Sequence, residues 1–218
     1  MFSDDDGVRV LLVDDGSGVA EQEALVRVIE PVVTGRALFL PPLLLPENLG
    51  KGGAVYSGWR KNTGEELLAF VDADRSITAS EVNRVLELAK TSARPTAFFG
   101  SRVKMLGRRV ERQFKRHLIG RIFATLVSEI LGIPVYDSQC GFKVVPRAVF
   151  ESVASKLTIR RFAFDVDLLV QLTDAGLPVV EVPIDWQEEP GGKVRLIRDS
   201  WRMFRDILTI RERRQDRR

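Results

Sequence analysis

The stretch Leu67-Leu68-Ala69-Phe70-Val71-Asp72-Ala73-Asp74 constrains the fold more than any other. Its five apolar residues, Leu67 to Val71, contain no Gly or Pro and read as a strand buried on both faces, the pattern of a helix-covered parallel sheet. Two carboxylates then arrive with one small residue between them. In an open α/β sheet the ligand crevice lies outside the carboxyl ends of the strands, where Asp72 and Asp74 would stand. Side chains at i and i+2 of an extended backbone point the same way, so both acids can converge on one hard cation. A strand ending in an Asp turn, with one acid capping the next helix, explains an isolated pair just as well. The rest of the chain has to decide.

Val8 to Val13 is a second β-branched run that delivers acids, Asp14 and Asp15, at its end. A helix is predicted from Ala20 to Ile29, stopped before Pro31, then a strand over 38–45 weakened by its prolines. Gly50-Lys51-Gly52-Gly53 follows and leads into a helix to about Lys61. It is neither a P-loop, because Gly52 follows Lys51, nor a dinucleotide fingerprint, because Val55 stands three after Gly52. It remains a Lys-bearing turn at a helix N-terminus, a generic anion site or a plain loop. Thr78 or Ser80 caps a helix to about Ser92, and Thr96 to Phe99 is a further strand. Strands and helices alternating in this way argue for a three-layer α/β domain. Between 111 and 131 the apolar residues fall on one helical stripe, which suits a core-facing helix and also one lying on an anionic membrane surface. Val179 to Ile184 is a strand ending at Asp185-Trp186, and the last helix covers about 199–211.

Composition narrows the chemistry. The chain of 218 residues is 44% hydrophobic and 29% charged, with one Cys and one His, which excludes an intrachain disulfide and any Cys- or multi-His metal site. A metal would be held by carboxylates, phosphates and water, which selects Mg²⁺ or Mn²⁺. No apolar run approaches the roughly 20 residues of a spanning helix, and the acidic start Asp4-Asp5-Asp6 does not suit a signal peptide. The net charge is only +3, yet it is uneven. Arg102, Lys104, Arg108, Arg109, Arg112, Lys115, Arg116 and Arg121 face the lone acid Glu111, and 193–218 is similarly basic. Such segments point to a localised anionic partner.

Taken in order, the motifs Val13-Asp14-Asp15-Gly16-Ser17, Asn48-x-Gly50-Lys51-Gly52-Gly53, Val71-Asp72-Ala73-Asp74 and Gly100-Ser101-Arg102 are followed by Asp137-Ser138-Gln139-Cys140-Gly141-Phe142-Lys143, Phe162-Ala163-Phe164-Asp165-Val166-Asp167, and Trp186 with Gly192-Lys193. This series resembles family 2 glycosyltransferases of the polyprenyl-phosphate branch, the dolichyl-phosphate β-glucosyltransferases and dolichyl-phosphate mannose synthases. The resemblance implies a glycosyltransferase A-type, Rossmann-like three-layer α/β fold with a mostly parallel central sheet, and amphipathic interface helices in the C-terminal half. It implies one domain over 1–218: a nucleotide-sugar and metal half (8–102), an acceptor half (103–198) and a basic helix and tail (199–218). The activity implied is inverting transfer of a hexose from UDP-glucose, or alternatively GDP-mannose, to a polyprenyl or dolichyl phosphate.

Carried over by residue, Asp14, Asp15, Asn48 and Lys51 would bind the donor, and Asp72 with Asp74 the Mg²⁺ or Mn²⁺ on its diphosphate. Arg102 would face phosphate, Asp137 and Gln139 the sugar or reaction centre, and Lys193 and Arg195 a donor or acceptor phosphate. Asp137 and Asp167 are the acids nearest the chemistry, with a base role and a sugar-hydroxyl role both open. The basic helices would bind anionic headgroups at about 1 kcal/mol per charge, placing the protein peripherally on the cytoplasmic face of a membrane. Nucleic acid is not expected, since aromatic and basic residues do not interleave.

Set against the family pattern, three departures are expected. The stretch from Val8 would correspond to the family's second strand, with the usual first strand missing, and Asp167 stands where Glu is common. Attachment to a membrane would be peripheral, since no stretch of the 218 residues forms an anchor-like apolar run. The rival readings are a nucleotidyltransferase, which would release pyrophosphate, and a degenerate, non-catalytic module that binds nucleotide sugar or membrane.

Overall fold

The computed structural model describes residues 7–61, 64–111, 114–187 and 196–216, excepting the side chains of 114–122 and 196–199. The chain runs β1 (Val13–Asp14), α1 (Val19–Val33), β2 (Leu43–Leu44), α2 (Lys51–Lys61), β3 (Leu67–Val71), α3 (Ala79–Lys90), β4 (Ala97–Ser101), β5 (Val110–Glu111) and α4 (Phe114–Leu131). There follow β6 (Phe142–Pro146), α5 (Arg147–Val153), α6 (Phe164–Asp174), β7 (Val179–Pro183), β8 (Trp186–Gln187) and α7 (Leu196–Gln215).

The main sheet has the order β3-β6-β4-β7. β4 and β7 are parallel, whereas β6 runs antiparallel to both of its neighbours, so β3, β4 and β7 share one direction. The mostly parallel sheet is therefore present, with one reversed strand in its middle. That reversal positions the site. Val71 pairs with Phe142, so the turn entering β6 lies at the same edge as the carboxyl ends of β3 and β4. β1 with β2 and β5 with β8 form separate parallel pairs.

Alternation along the strands divides the core into two. Ala97, Phe99 and Val145 face a cluster with Tyr56 and Trp59 of α2, Phe150 of α5, and Phe164, Leu168 and Leu172 of α6. Phe98 and Val144 face Val85, Leu86 and Ala89 of α3 together with Trp186. Helices thus cover both faces of the sheet at its central strands, but β3 is an edge strand. Leu68 is buried while Ala69 and Val71 are exposed, so the two-sided burial expected from its apolar run is not found, because coverage thins at the sheet edge.

Several boundaries differ from the sequence expectation. α1 continues through Pro31 to Val33, because a proline in the last turn forfeits only one helical hydrogen bond. Of the strand expected over 38–45 only Leu43–Leu44 pairs, beyond a single bridge from Val10 to Phe39; Pro41 and Pro42 have no N–H to donate. Thr78 caps α3 as expected, its side chain accepting from the Glu81 N–H. Residue 111 belongs to β5 rather than to the helix, which starts at Phe114.

The C-terminal helices each turn one side to the core. α4 places Val127 and Leu131 in the core, and α7 buries Ile207 and Ile210 there. Arg214 pairs with Asp174 at 2.6 Å and also donates to the Leu131 carbonyl, while Arg213 bonds the Thr158 hydroxyl. Part of the apolar side of α7 and two of its terminal arginines are engaged inside the fold, while Trp201 stays exposed. Among the described residues, no helix is long and apolar enough to cross a membrane.

Candidate active site

The candidate site forms where the ends of β1, β3 and β4, the start of β6 and the N-termini of α2 and α6 meet. Gly141 lets the β6 turn approach β3: the Asp72 N–H donates to the Gly141 carbonyl at 2.9 Å, and a Cβ on residue 141 would collide with the Asp72 carboxylate. Lys51, the first residue of α2, donates from Nζ to Asp72 Oδ2 at 2.9 Å. Its stem lies by the rings of Phe70 and Phe164, with Nζ 5.5 and 5.9 Å from their centroids. Burial opposes the Lys51 charge, but Asp165 and Asp72 outweigh it and hold the ammonium above its ordinary pKa.

Asp74 is exposed, and its Oδ1 accepts from the Ser76 N–H at 3.0 Å. Between them Arg75 takes φ 61, a left-handed conformation rare outside Gly. No group of three or more His, Cys, Asp or Glu able to hold a metal occurs among the described residues. The two acids can therefore supply only part of a coordination shell.

Behind Lys51 lies a buried ion pair. Lys143, the wholly buried second residue of β6, meets Asp165 at 2.6 Å, and Asp165 is 2% exposed. Lys143 also donates to the Cys140 carbonyl at 2.8 Å and sits 4.8 Å from the centre of the Phe99 ring. Burial raises the Asp165 carboxyl above the usual range, with Lys143 and Lys51 acting to keep it charged. The residues Asp72, Lys51, Asp165 and Lys143 alternate in charge from the site surface into the core.

Arg102, at the end of β4, is occupied by Asp137. Its backbone N–H, Nε and Nη2 all reach the Asp137 carboxylate, at 3.0, 2.6 and 2.7 Å, and its guanidinium stacks on Trp186 at 5.0 Å. Burial opposes the Arg102 charge, but Asp137 more than offsets it, so the guanidinium stays protonated. Glu181 of β7 holds the same turn, accepting from the N–H groups of Tyr136 and Asp137 at 2.7 Å each. The buried hydroxyls of Ser101 and Ser138, beside this pair, have no hydrogen-bond partner among the described residues.

The other sequence-predicted residues fall as follows. Asp15 Oδ1 accepts from the Leu49 N–H and its carbonyl from the Asn48 amide, at 2.8 and 2.9 Å, fastening the end of β1 to the loop before α2. Asp14 turns away to Ser17 and Gln22; the Ser17 hydroxyl and the Gln22 amide hold its carboxyl below the usual range. Gln139 donates to the Phe162 carbonyl at 3.3 Å and lies against Met203 of α7. Asp167 is not at the reacting edge. It is 1% exposed, with Oδ2 accepting from the Thr158 and Ile159 N–H groups and Oδ1 from Gln171, so it clamps the loop before α6. Lys193 and Arg195 lie outside the described residues.

The sequence model of glycosyl transferase family 2 matches residues 3–154. The chain belongs to glycosyl transferase family 2. This family 2 chain is 30% identical over 207 residues to a dolichyl-phosphate beta-glucosyltransferase of Dictyostelium discoideum, covering 93% of the chain and 62% of that protein. It is 30% identical over 215 residues to the enzyme of the same name from Saccharomyces cerevisiae, covering 93% and 64%. It therefore spans a little under two thirds of the length of these relatives.

Among solved structures, a mycobacterial protein superimposes with a TM-score of 0.66 at 18% identity, covering 93% of this chain and 64% of the other. Glucosyl-3-phosphoglycerate synthase from Mycobacterium tuberculosis, in complex with Mn²⁺, UDP-glucose and glycerol 3-phosphate, superimposes with 0.55 at 14% identity, covering 95% and 80%. These two show the glycosyltransferase A-type fold.

Sequence reasoning assigned no role to Lys143, Asp165 or Glu181. The available signal was a charged residue inside an otherwise apolar strand, Phe-Lys-Val-Val-Pro in β6 and Val-Val-Glu-Val-Pro in β7, since such burial requires a partner.

Proposed function

We propose that this chain transfers a hexose, with glucose favoured, from a nucleotide diphosphate sugar such as UDP-glucose to a polyprenyl or dolichyl phosphate, with inversion at the anomeric carbon. The observation that carries the reading is the Lys51–Asp72 contact at the carboxyl end of β3, with the solvent-open Asp74 two residues on and the Arg102–Asp137 pair at the end of β4. The names of the similar curated proteins support the acceptor class.

The acids fit a Mg²⁺ or Mn²⁺ ion. Asp72 and Asp74 offer hard oxygens, Asp74 is open to solvent, and a small divalent ion ordinarily takes one or two carboxylates and completes its shell with phosphate and water. When bound, such an ion neutralises charge on the leaving diphosphate. Lys51 adds a second positive charge on the donor side. A lipid phosphate, with a second pKa of about 6, is largely dianionic at neutral pH and needs no strong base. That suits Asp137 and Asp167, whose oxygens are already engaged. The Asp137 carboxylate instead fixes Arg102, and the Asp137–Gly141 turn shapes the sugar side of the crevice. The side chains that meet the membrane would be Trp201, 63% exposed, and Phe162 beside Gln139, in a peripheral association on the cytoplasmic face.

The test uses Mn²⁺ or Mg²⁺, radiolabelled UDP-glucose or GDP-mannose, and a polyprenyl phosphate, followed by lipid extraction. Label in the lipid phase that is lost in Asp74→Ala is expected. If neither donor labels lipid and calorimetry detects no nucleotide binding, the catalytic reading fails.

A further inference from the structure

The contact between Lys51 and Asp72 raises a problem of occupancy. The Asp72 oxygen that receives the Lys51 ammonium at 2.9 Å belongs to one of the two acids best placed to ligate a cation. An ammonium and a divalent ion on one carboxylate repel each other, the more so in a partly desolvated crevice. One of them has to give way.

The surroundings determine which part can move. The backbone at Lys51 is pinned. Gly50 takes φ 84 against the Arg160 carbonyl, the Gly53 N–H donates to that carbonyl at 2.9 Å, and the Leu49 N–H donates to Asp15. The side chain is less constrained: it is 23% exposed and has a long aliphatic stem lying by two aromatic rings. Behind it, the Lys143–Asp165 pair is fully buried, and the Cys140 carbonyl and two rings fix the Lys143 end. Asp165 attracts Lys51 from the core side whatever happens at Asp72.

We propose that Lys51 is a two-position cation: in the nucleotide-free protein it occupies Asp72 as a built-in counter-ion, and when a divalent cation and a diphosphate bind together it leaves Asp72 for the diphosphate, with the Lys143–Asp165 pair as its fixed tether. The protein then holds free metal weakly and metal with nucleotide strongly, because Lys51 opposes the first and favours the second. This rests on the metal-site reading given above.

The experiment titrates Mn²⁺ alone, then UDP in saturating Mn²⁺, by electron paramagnetic resonance and calorimetry, into the wild type, Lys51→Met, Lys51→Gln and Asp72→Asn. Circular dichroism checks that each variant is folded. With Lys51 neutralised, Mn²⁺ alone is expected to bind about tenfold more tightly, the worth of one partly exposed charge-assisted bond, while UDP with Mn²⁺ binds about tenfold or more weakly. If Asp72→Asn weakens Mn²⁺ binding but both Lys51 variants leave it unchanged or weaker, Lys51 is a static support of Asp72 and the exchange is overturned. If Asp72→Asn leaves Mn²⁺ binding unaltered, the metal-site reading itself fails and the exchange fails with it.

Discussion

Replacing Lys143 by Met would remove one charge from the most deeply buried ion pair of the site while nearly conserving its volume. In the wild type the two groups are 2.6 Å apart and 0% and 2% exposed, so Asp165 would be left as a carboxylate in the core. Breaking such a pair on one side costs about 3–5 kcal/mol. Lys51 also attracts Asp165, which puts the expectation at the lower end, about 3 kcal/mol, or ~6–12 °C in Tm for a domain of this size. In the double variant Lys143→Met, Asp165→Asn no charge is stranded, and about 2 kcal/mol of the loss should return. Burial already raises the Asp165 carboxyl above the ordinary carboxylate range, and loss of Lys143 raises it further. A carboxylate raised on folding destabilises at pH above its folded pKa, and the penalty disappears below the unfolded value. The gap between Lys143→Met and the wild type should therefore close on acidification. Urea unfolding of the wild type, both single variants and the double variant, at neutral and acidic pH, measures all three quantities. A loss under about 1 kcal/mol for Lys143→Met, or strict additivity of the two substitutions, would refute the argument that this pair is a buried mutual dependency.

Gly141→Ala places a methyl group against the Asp72 carboxylate; calorimetry should show Mn²⁺ affinity falling at least about tenfold with the melting temperature changed by only a few degrees. Burial pushes the Cys140 thiol up to about 12 from 9.0, so its stabilising contribution is complete below pH 9 and lost at about 1.4 kcal/mol per unit between those values. Cys140→Ala should flatten stability measured across that window, and in the native wild type the thiol should react with a disulfide reagent only after unfolding. Ile207, wholly buried, places α7 in the core; Ile207→Ala should cost about 2–5 kcal/mol in urea unfolding, and a cost under 1 kcal/mol would return α7 to the surface.

Much of the fold is legible locally. The Thr78 cap marks the start of α3, and Asp72 and Asp74 follow the carboxyl end of their strand as the crevice rule requires. The apolar run of β3 marks a strand but misleads about burial, since β3 lies at the sheet edge with Ala69 and Val71 exposed. Pro31 misleads, because its effect depends on how near the helix end it lies. β6 misleads more seriously. Its Phe142–Lys143 opening continues a polar block, and a lysine in mid-strand argues against burial until its partner is known. Asp165, twenty-two positions later in the chain, supplies that partner, and no window of sequence contains both.

Residue type, spacing and order determine this protein's class: a parallel α/β scaffold carrying acids and a Lys-bearing glycine turn at its strand ends, in the sequence of motifs typical of family 2. Tertiary structure decides which of those charges are still available. It joins Arg102 to Asp137, withdraws Asp167 into backbone N–H groups, turns Asp14 to Ser17, spends Arg214 on Asp174, and leaves Asp74 open with Lys51 resting on Asp72. The physical reason is that a charged side chain has to be compensated wherever it is buried. Pattern places the charges along the chain, while only the folded packing determines which of them neutralise one another and which still face a ligand.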